Sequence, residues 1–149
     1  GARALVLLHE KHLRSCLEIW KQAKIAKVKL SKTDHENYQS LETLLEHILG
    51  SAGHYMIEIC EHLGLPDPEI REAPGVSTIE AEAEDYLEHV LERWRLPLVH
   101  VSEETLDQVP EISDSHRMPY YGMLEHAVMH PIRHQFQLEA LLAEQVLER

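Results

Sequence analysis

His126-Ala127-Val128-Met129-His130-Pro131-Ile132-Arg133-His134-Gln135-Phe136-Gln137 repeats histidine every four residues. In an α-helix each residue advances about 100°, so a step of four advances only about 40° and the three imidazoles stay near one face. Met123, Ala127, Leu138 and Leu141 mark the apolar stripe of that helix. His134 falls inside the stripe, His130 at its edge, and His126 further round, towards Arg133 and Glu144. A helix that turns two histidines into its apolar face must bury them, and buried ring nitrogens need partners. An i, i+4 histidine pair on a helix can grip one metal ion, as in zinc protease helices. The segment therefore predicts a long helix whose core-facing side carries chemistry.

The same period extends outward through the rest of the chain. Upstream, Ser115 is placed to cap this last helix, and Pro119 suits its first turn, where a missing N–H costs nothing. A first helix is predicted from about Ala4 to Lys27, with Leu5, Leu8, Leu13, Cys16, Leu17, Trp20 and Ala23 as apolar positions. The polar run Ser31 to Asp34 interrupts it. A second helix is expected from about Asn37 to Leu63, closed by Gly64 and Pro66, since glycine past the end followed by proline is a stop signal. A proline-containing connection leads to Ser77 or Thr78 as the cap of a third helix, with Ser77 and Glu80 spaced as a capping box. That helix is expected to reach Leu96, with Leu98 to Val101 as a candidate continuation and a polar connection from Ser102 to Arg117. No stretch alternates as a strand does, and no Asn-Gly hairpin occurs. Four long amphipathic helices with two longer connections read as an all-α, four-helix bundle in one domain spanning residues 1–149.

Composition narrows the function. The 149 residues include 14 Lys plus Arg and 26 Asp plus Glu, a formal net charge of -12. A surface of that sign argues against nucleic acid and against an anionic membrane as main partners. No apolar run approaches the roughly 20 residues of a membrane-spanning helix. The first residues lack the features of a signal peptide, and Gly1 stands where an initiator Met is expected, so a cytoplasmic protein whose native start is not visible is the expectation. The basic patch Lys21 to Lys32 reads as a solvated helix end. Two cysteines, Cys16 and Cys60, lie in apolar helical contexts and suggest small buried residues rather than a disulfide scaffold. Against this background, 12 histidines stand out.

A catalytic zinc-type site needs three protein ligands and an open position, so a second helix has to supply a ligand. In the second helix His47, Ser51, His54 and Glu58 form a polar strip. His47 and His54 are only about 20° apart around the axis but about 10 Å apart along it, so one site hardly takes both. His12 and Cys16 have metal-like spacing but read as packing. No histidine after the first helix follows a glutamate by three residues, which removes the main support for a di-iron bundle.

Leu44-Leu45-Glu46-His47-Ile48-Leu49 and His130-Pro131-Ile132-Arg133-His134-Gln135-Phe136-Gln137 resemble the second-helix and last-helix motifs of the DinB/YfiT-like superfamily, and the order of elements is similar along essentially the whole chain. The resemblance implies a DinB/YfiT-like bundle with one divalent ion, zinc or nickel, held by His47, His130 and His134. It also implies frequent homodimers and, in some members, thiol-dependent transfer. Two positions depart from the motif: Phe136 stands where many members have glycine, and Pro131 separates the paired histidines and is expected to bend the helix. His54, Glu58, His126 and Gln137 are candidates for the pocket or for supporting the ligands, and Glu58 for a base. Three neutral imidazoles leave the ion its charge and an open face, which suits a hydrolase or a transferase acting on a small thiol. The alternative is a non-catalytic metal-binding or stress-response bundle protein, with its fourth position closed by His54, His126 or Glu58.

Overall fold

Leu13, Leu17 and Trp20 recur at the spacing of one helical face, and Ala2–Ile25 forms α1 with that face buried. The computed structural model describes residues 1–110 and 117–148. After α1 come a single 3-10 turn at Glu36–Tyr38, α2 at Leu41–Leu63, α3 at Ile79–Trp94, the one-turn α4 at Glu103–Leu106, and α5 at Tyr120–Leu147. Among the described residues there is no strand, and no helix is long and apolar enough to cross a membrane.

The ends of the helices follow local chemistry, with differences from the sequence reading. The second helix starts at Leu41 rather than near Asn37, because Ser40 caps it: its hydroxyl accepts from Thr43 N, and Thr43 Oγ1 accepts from Ser40 N in return. Asn37 belongs instead to the preceding 3-10 turn, capped by His35. At the other end Gly64 takes a left-handed φ of 66°, and Leu65 N closes on Cys60 O. Glycine accepts that conformation without the Cβ clash other residues meet. The capping box expected at Ser77 does not form. Thr78 is the cap, and its hydroxyl turns back towards Gly75 O instead of bonding the first turn. The third helix ends at Trp94, and Leu98 to Val101 form turns rather than a continuation. A one-turn helix, α4, lies inside the expected polar connection and is capped by Ser102. Pro119 caps α5 from just outside it. The cap expected at Ser115 falls outside the described residues.

The four long helices surround one core. α1 packs most extensively against α5, while α2 bridges α3 and α5. Trp20 donates its indole N–H to Leu41 O at the start of α2, and Trp94 donates to Ala52 O in the middle of it. Each bond satisfies the single donor of a buried indole while tying a helix to α2. Gly53 lets a connection come close: a Cβ there would stand 2.9 Å from Ile70 Cγ2. Outside the core, Arg14 pairs with Glu10 and Glu88, Lys21 with Glu84, and Lys24 with Glu42 and Glu80. Two lysines of the basic patch thus pair at the surface with glutamates of neighbouring helices. Such exposed pairs contribute at most about 1 kcal/mol each.

Candidate metal centre

Along α5 burial follows the helical wheel. His134 and His130 are buried, at 0% and 6% exposure, and His126 is exposed. α5 continues through Pro131, which is itself buried. His47 projects from α2 towards them, nearer His130 than His134. His130 Nε2 lies 3.0 Å from His47 Nε2 and 3.2 Å from His134 Nε2. One ligand atom from each residue lies within 4.8 Å of the others, and this is the one such group of His, Cys, Asp or Glu among the described residues. The rings meet edge to face, at 77°, 87° and 81°, so nitrogens rather than ring faces converge.

These nitrogens cannot satisfy one another by hydrogen bonding alone. Gln137 Oε1 lies 2.8 Å from His134 Nδ1. With that oxygen accepting, His134 carries its proton on Nδ1 and presents a lone pair on Nε2. His130 Nε2 then has two neighbours and at most one proton to share between them. A single ion resolves the conflict by accepting all three lone pairs. Tetrahedral zinc with Zn–N near 2.0–2.1 Å holds its ligand nitrogens about 3.3 Å apart, close to the 3.0 and 3.2 Å that separate His130 Nε2 from His47 Nε2 and His134 Nε2. The donor set therefore fits a divalent ion of the zinc, nickel or copper type.

Burial keeps the donors neutral, the form that binds metal. It pushes His130 down to about 3, with the neighbouring charges of His134, His47 and Arg133 adding to the shift. It pushes His134 down to about 4, against the opposing effect of its hydrogen bond to Gln137. His47 is lowered as well, by burial first and then by Arg133 and His35.

The other sequence candidates occupy different places. Gln137 joins the centre through His134. His126 is exposed, with its ring centroid 5.9 Å from that of Tyr55. His54 is exposed and lines a groove of about 480 Å³ along α2, with Glu46, His47, Ser51 and Glu72. Glu58 lies 3.8 Å from His62, one turn further along α2, and is outside the three-histidine group. Cys16 and Cys60 are both free and buried, and burial pushes their thiols up to about 12 and 11.

Three neighbours escaped the sequence reading. The Tyr38 ring lies 6.1 Å from His134, and the Tyr55 ring 6.1 Å from His130. His47 pairs with His130 and His134 while Tyr55, two turns later, meets His126 and His130, so α2 and α5 run antiparallel across the site. The exposed Arg133 lines a cavity along α5 together with His130. Tyr38 sits in a 3-10 turn that leaves no periodic trace, and Arg133 reads on the wheel as an ordinary exposed charge. Comparison with family models, curated proteins and solved structures finds no match to this chain.

Proposed function

We propose that this protein binds one divalent metal ion through His47, His130 and His134 and leaves the ion a fourth position for a small ligand. The observation that carries the reading is the convergence of three Nε2 atoms around a space their own protons cannot fill. Among the described residues no fourth His, Cys, Asp or Glu joins them. Such an ion acts as a Lewis acid and activates a water or a thiol at neutral pH. The chain's own residues hold the ligands: Gln137 fixes the tautomer of His134, and Tyr38 and Tyr55 wall the two ends of the site.

The reaction class this arrangement suits is metal-assisted hydrolysis or transfer to a thiol, on a DinB/YfiT-like bundle. No carboxylate stands in the three-histidine group, and Glu58 is turned to His62, which favours a ligand that is itself the nucleophile. A thiol in that role comes from outside the chain, because both cysteines are buried and held as thiols. Exposed Leu7 and Leu8 on α1 support pairing of two chains through helix faces. A dimer mass in light scattering at micromolar concentration is the expected result.

Elemental analysis of the purified protein tests the centre, with one equivalent of metal expected. Cobalt-loaded protein tests the fourth position: added thiol or azide shifts the visible bands if it is open. Bands unchanged at saturating thiol and azide mean a closed, structural site.

A further inference from the structure

We propose that the connection between α2 and α3, residues 65–78, is a strap latched to α3 by a neutral His89, and that acid releases it by protonating that imidazole. The latch lies outside the three-histidine centre and stands whether or not that centre holds a metal ion.

The strap runs back along α2. Ile70 sits close over Gly53, and a Cβ on Gly50 would stand 3.6 Å from that of Ala73. Among the described residues, no backbone-to-backbone hydrogen bond is made by the strap between Leu65 and Gly75. Its polar hold on the helices comes instead at Arg71, whose peptide groups are met from both sides by α3. Arg71 N donates to His89 Nε2 at 3.0 Å, and Tyr86 Oη donates to Arg71 O at 2.7 Å. Tyr86 and His89 are three residues apart and so share one face of α3. An ion pair between Glu69 and Arg93 adds a surface contact, with both side chains largely in water.

The two anchors at Arg71 respond differently to acid. Tyr86 donates, and burial pushes its phenol up to about 12, so it remains a donor throughout. His89 accepts, and an imidazole accepts only while it is neutral; once protonated, both ring nitrogens are donors. An Nε2–H would then face the Arg71 N–H, donor against donor. The charges around the ring work in the same direction. Burial first, then Arg71 on the strap and Arg93 on α3, disfavour a cation there, against the opposing charge of Glu92. Glu72 is close enough to act on Tyr86, and α2 meets the strap with Gly53 and Gly50. His89 is therefore held below its ordinary 6.5, and the closed strap binds fewer protons than the open one. The closed form keeps its full advantage above pH 6.5 and loses it progressively below. Glu72 and Ala73 of the strap also wall the groove that His47 and His54 line, so release widens that groove.

Amide hydrogen exchange by NMR on the full chain tests the latch. Protection of the Arg71 amide, corrected for intrinsic exchange, is expected to fall about three- to tenfold between about pH 7.5 and about pH 5, the worth of one hydrogen bond. His89→Gln supplies an acceptor that takes no proton, and protection there is expected to stay level across the range. His89→Ala is expected to give the low value at both ends. Level protection in wild type, a fall that survives His89→Gln, or full protection at neutral pH in His89→Ala overturns the proposal. The amide shifts of Gly50 and Gly53 report whether the strap itself moves. They are expected to carry a wild-type acid transition that His89→Gln lacks, and identical shifts in the two proteins mean that no strap is released.

Discussion

His9 and the pair His130 and His134 are equally buried imidazoles with opposite surroundings. His9 lies flat against Trp94, with ring centroids 3.6 Å apart and planes within 9°. Neither of its ring nitrogens has a hydrogen-bond partner, and burial holds it down to about 3. His130 and His134 stand edge to face, nitrogen to nitrogen, with His47 and Gln137 completing the set. Burial depresses basicity in both regions, so depressed basicity does not distinguish them. What distinguishes them is where the lone pairs point. At His9 the stacked geometry uses the ring face and leaves the nitrogens without hydrogen-bond partners; at the centre the rings are arranged so that nitrogens meet.

The sharpest way to break this comparison is to remove an imidazole from each region. His130→Ala or His134→Ala is expected to abolish stoichiometric metal binding, while His9→Ala leaves it at one equivalent despite a lower melting temperature. Metal loss in the His9 variant, measured by elemental analysis on folded protein, contradicts the division drawn here. Next in size is Gln137→Leu. It removes the acceptor that orients His134, and a change of that kind typically costs about 10–100-fold in metal affinity. Competition with a chromophoric chelator measures it, and an unchanged constant removes Gln137 from the centre.

A third variant acts on stability and has the opposite sign to most core changes. His9→Phe keeps the stack on Trp94 and removes two buried polar atoms without partners, so it is expected to stabilise the fold by about 1–3 kcal/mol in urea unfolding. A loss of stability instead means that the nitrogens of His9 have a partner. The last effect concerns pH. The pKa of His9 is about 3 in the folded protein, below its ordinary 6.5. Between those values the unfolded chain binds a proton that the folded chain does not. Stability therefore falls on acidification through that window, by about 1.4 kcal/mol per pH unit from this residue, and is unaffected by it above pH 6.5. Metal-free His130 and His134 contribute with the same sign. His9→Phe should flatten the dependence by one group's share, and an unchanged slope shows that His9 is solvated in the folded protein.

These residues also mark how far the sequence was readable. The four-residue histidine spacing and the apolar stripe from Met123 to Leu141 placed His134 inside, His130 at the edge and His126 outside, which is how they are buried. Helical periodicity reports which face of one helix is inward, and that was enough for four long helices and for His130 and His134. His9 was not legible, because a lone histidine among leucines carries no pattern and only Trp94, 85 positions away, explains its burial. The start of the second helix was misplaced for a local reason: the reciprocal Ser40 and Thr43 cap competes with Asn37, and spacing alone does not rank caps.

Taken alone, the sequence determined the helical class, the inward faces and the i, i+4 pair on the last helix, because these depend on chain-local periods of 3.6 residues. Tertiary structure alone decided that His47 reaches that pair, while side-chain geometry within single helices brought Gln137 to His134 and Glu58 near His62. The reach of His47 to that pair depends on the antiparallel register of α2 against α5. That register is set by the packing of whole helix faces, by buried anchors such as Trp94 on Ala52 O, and not by any property of the segments that carry the ligands.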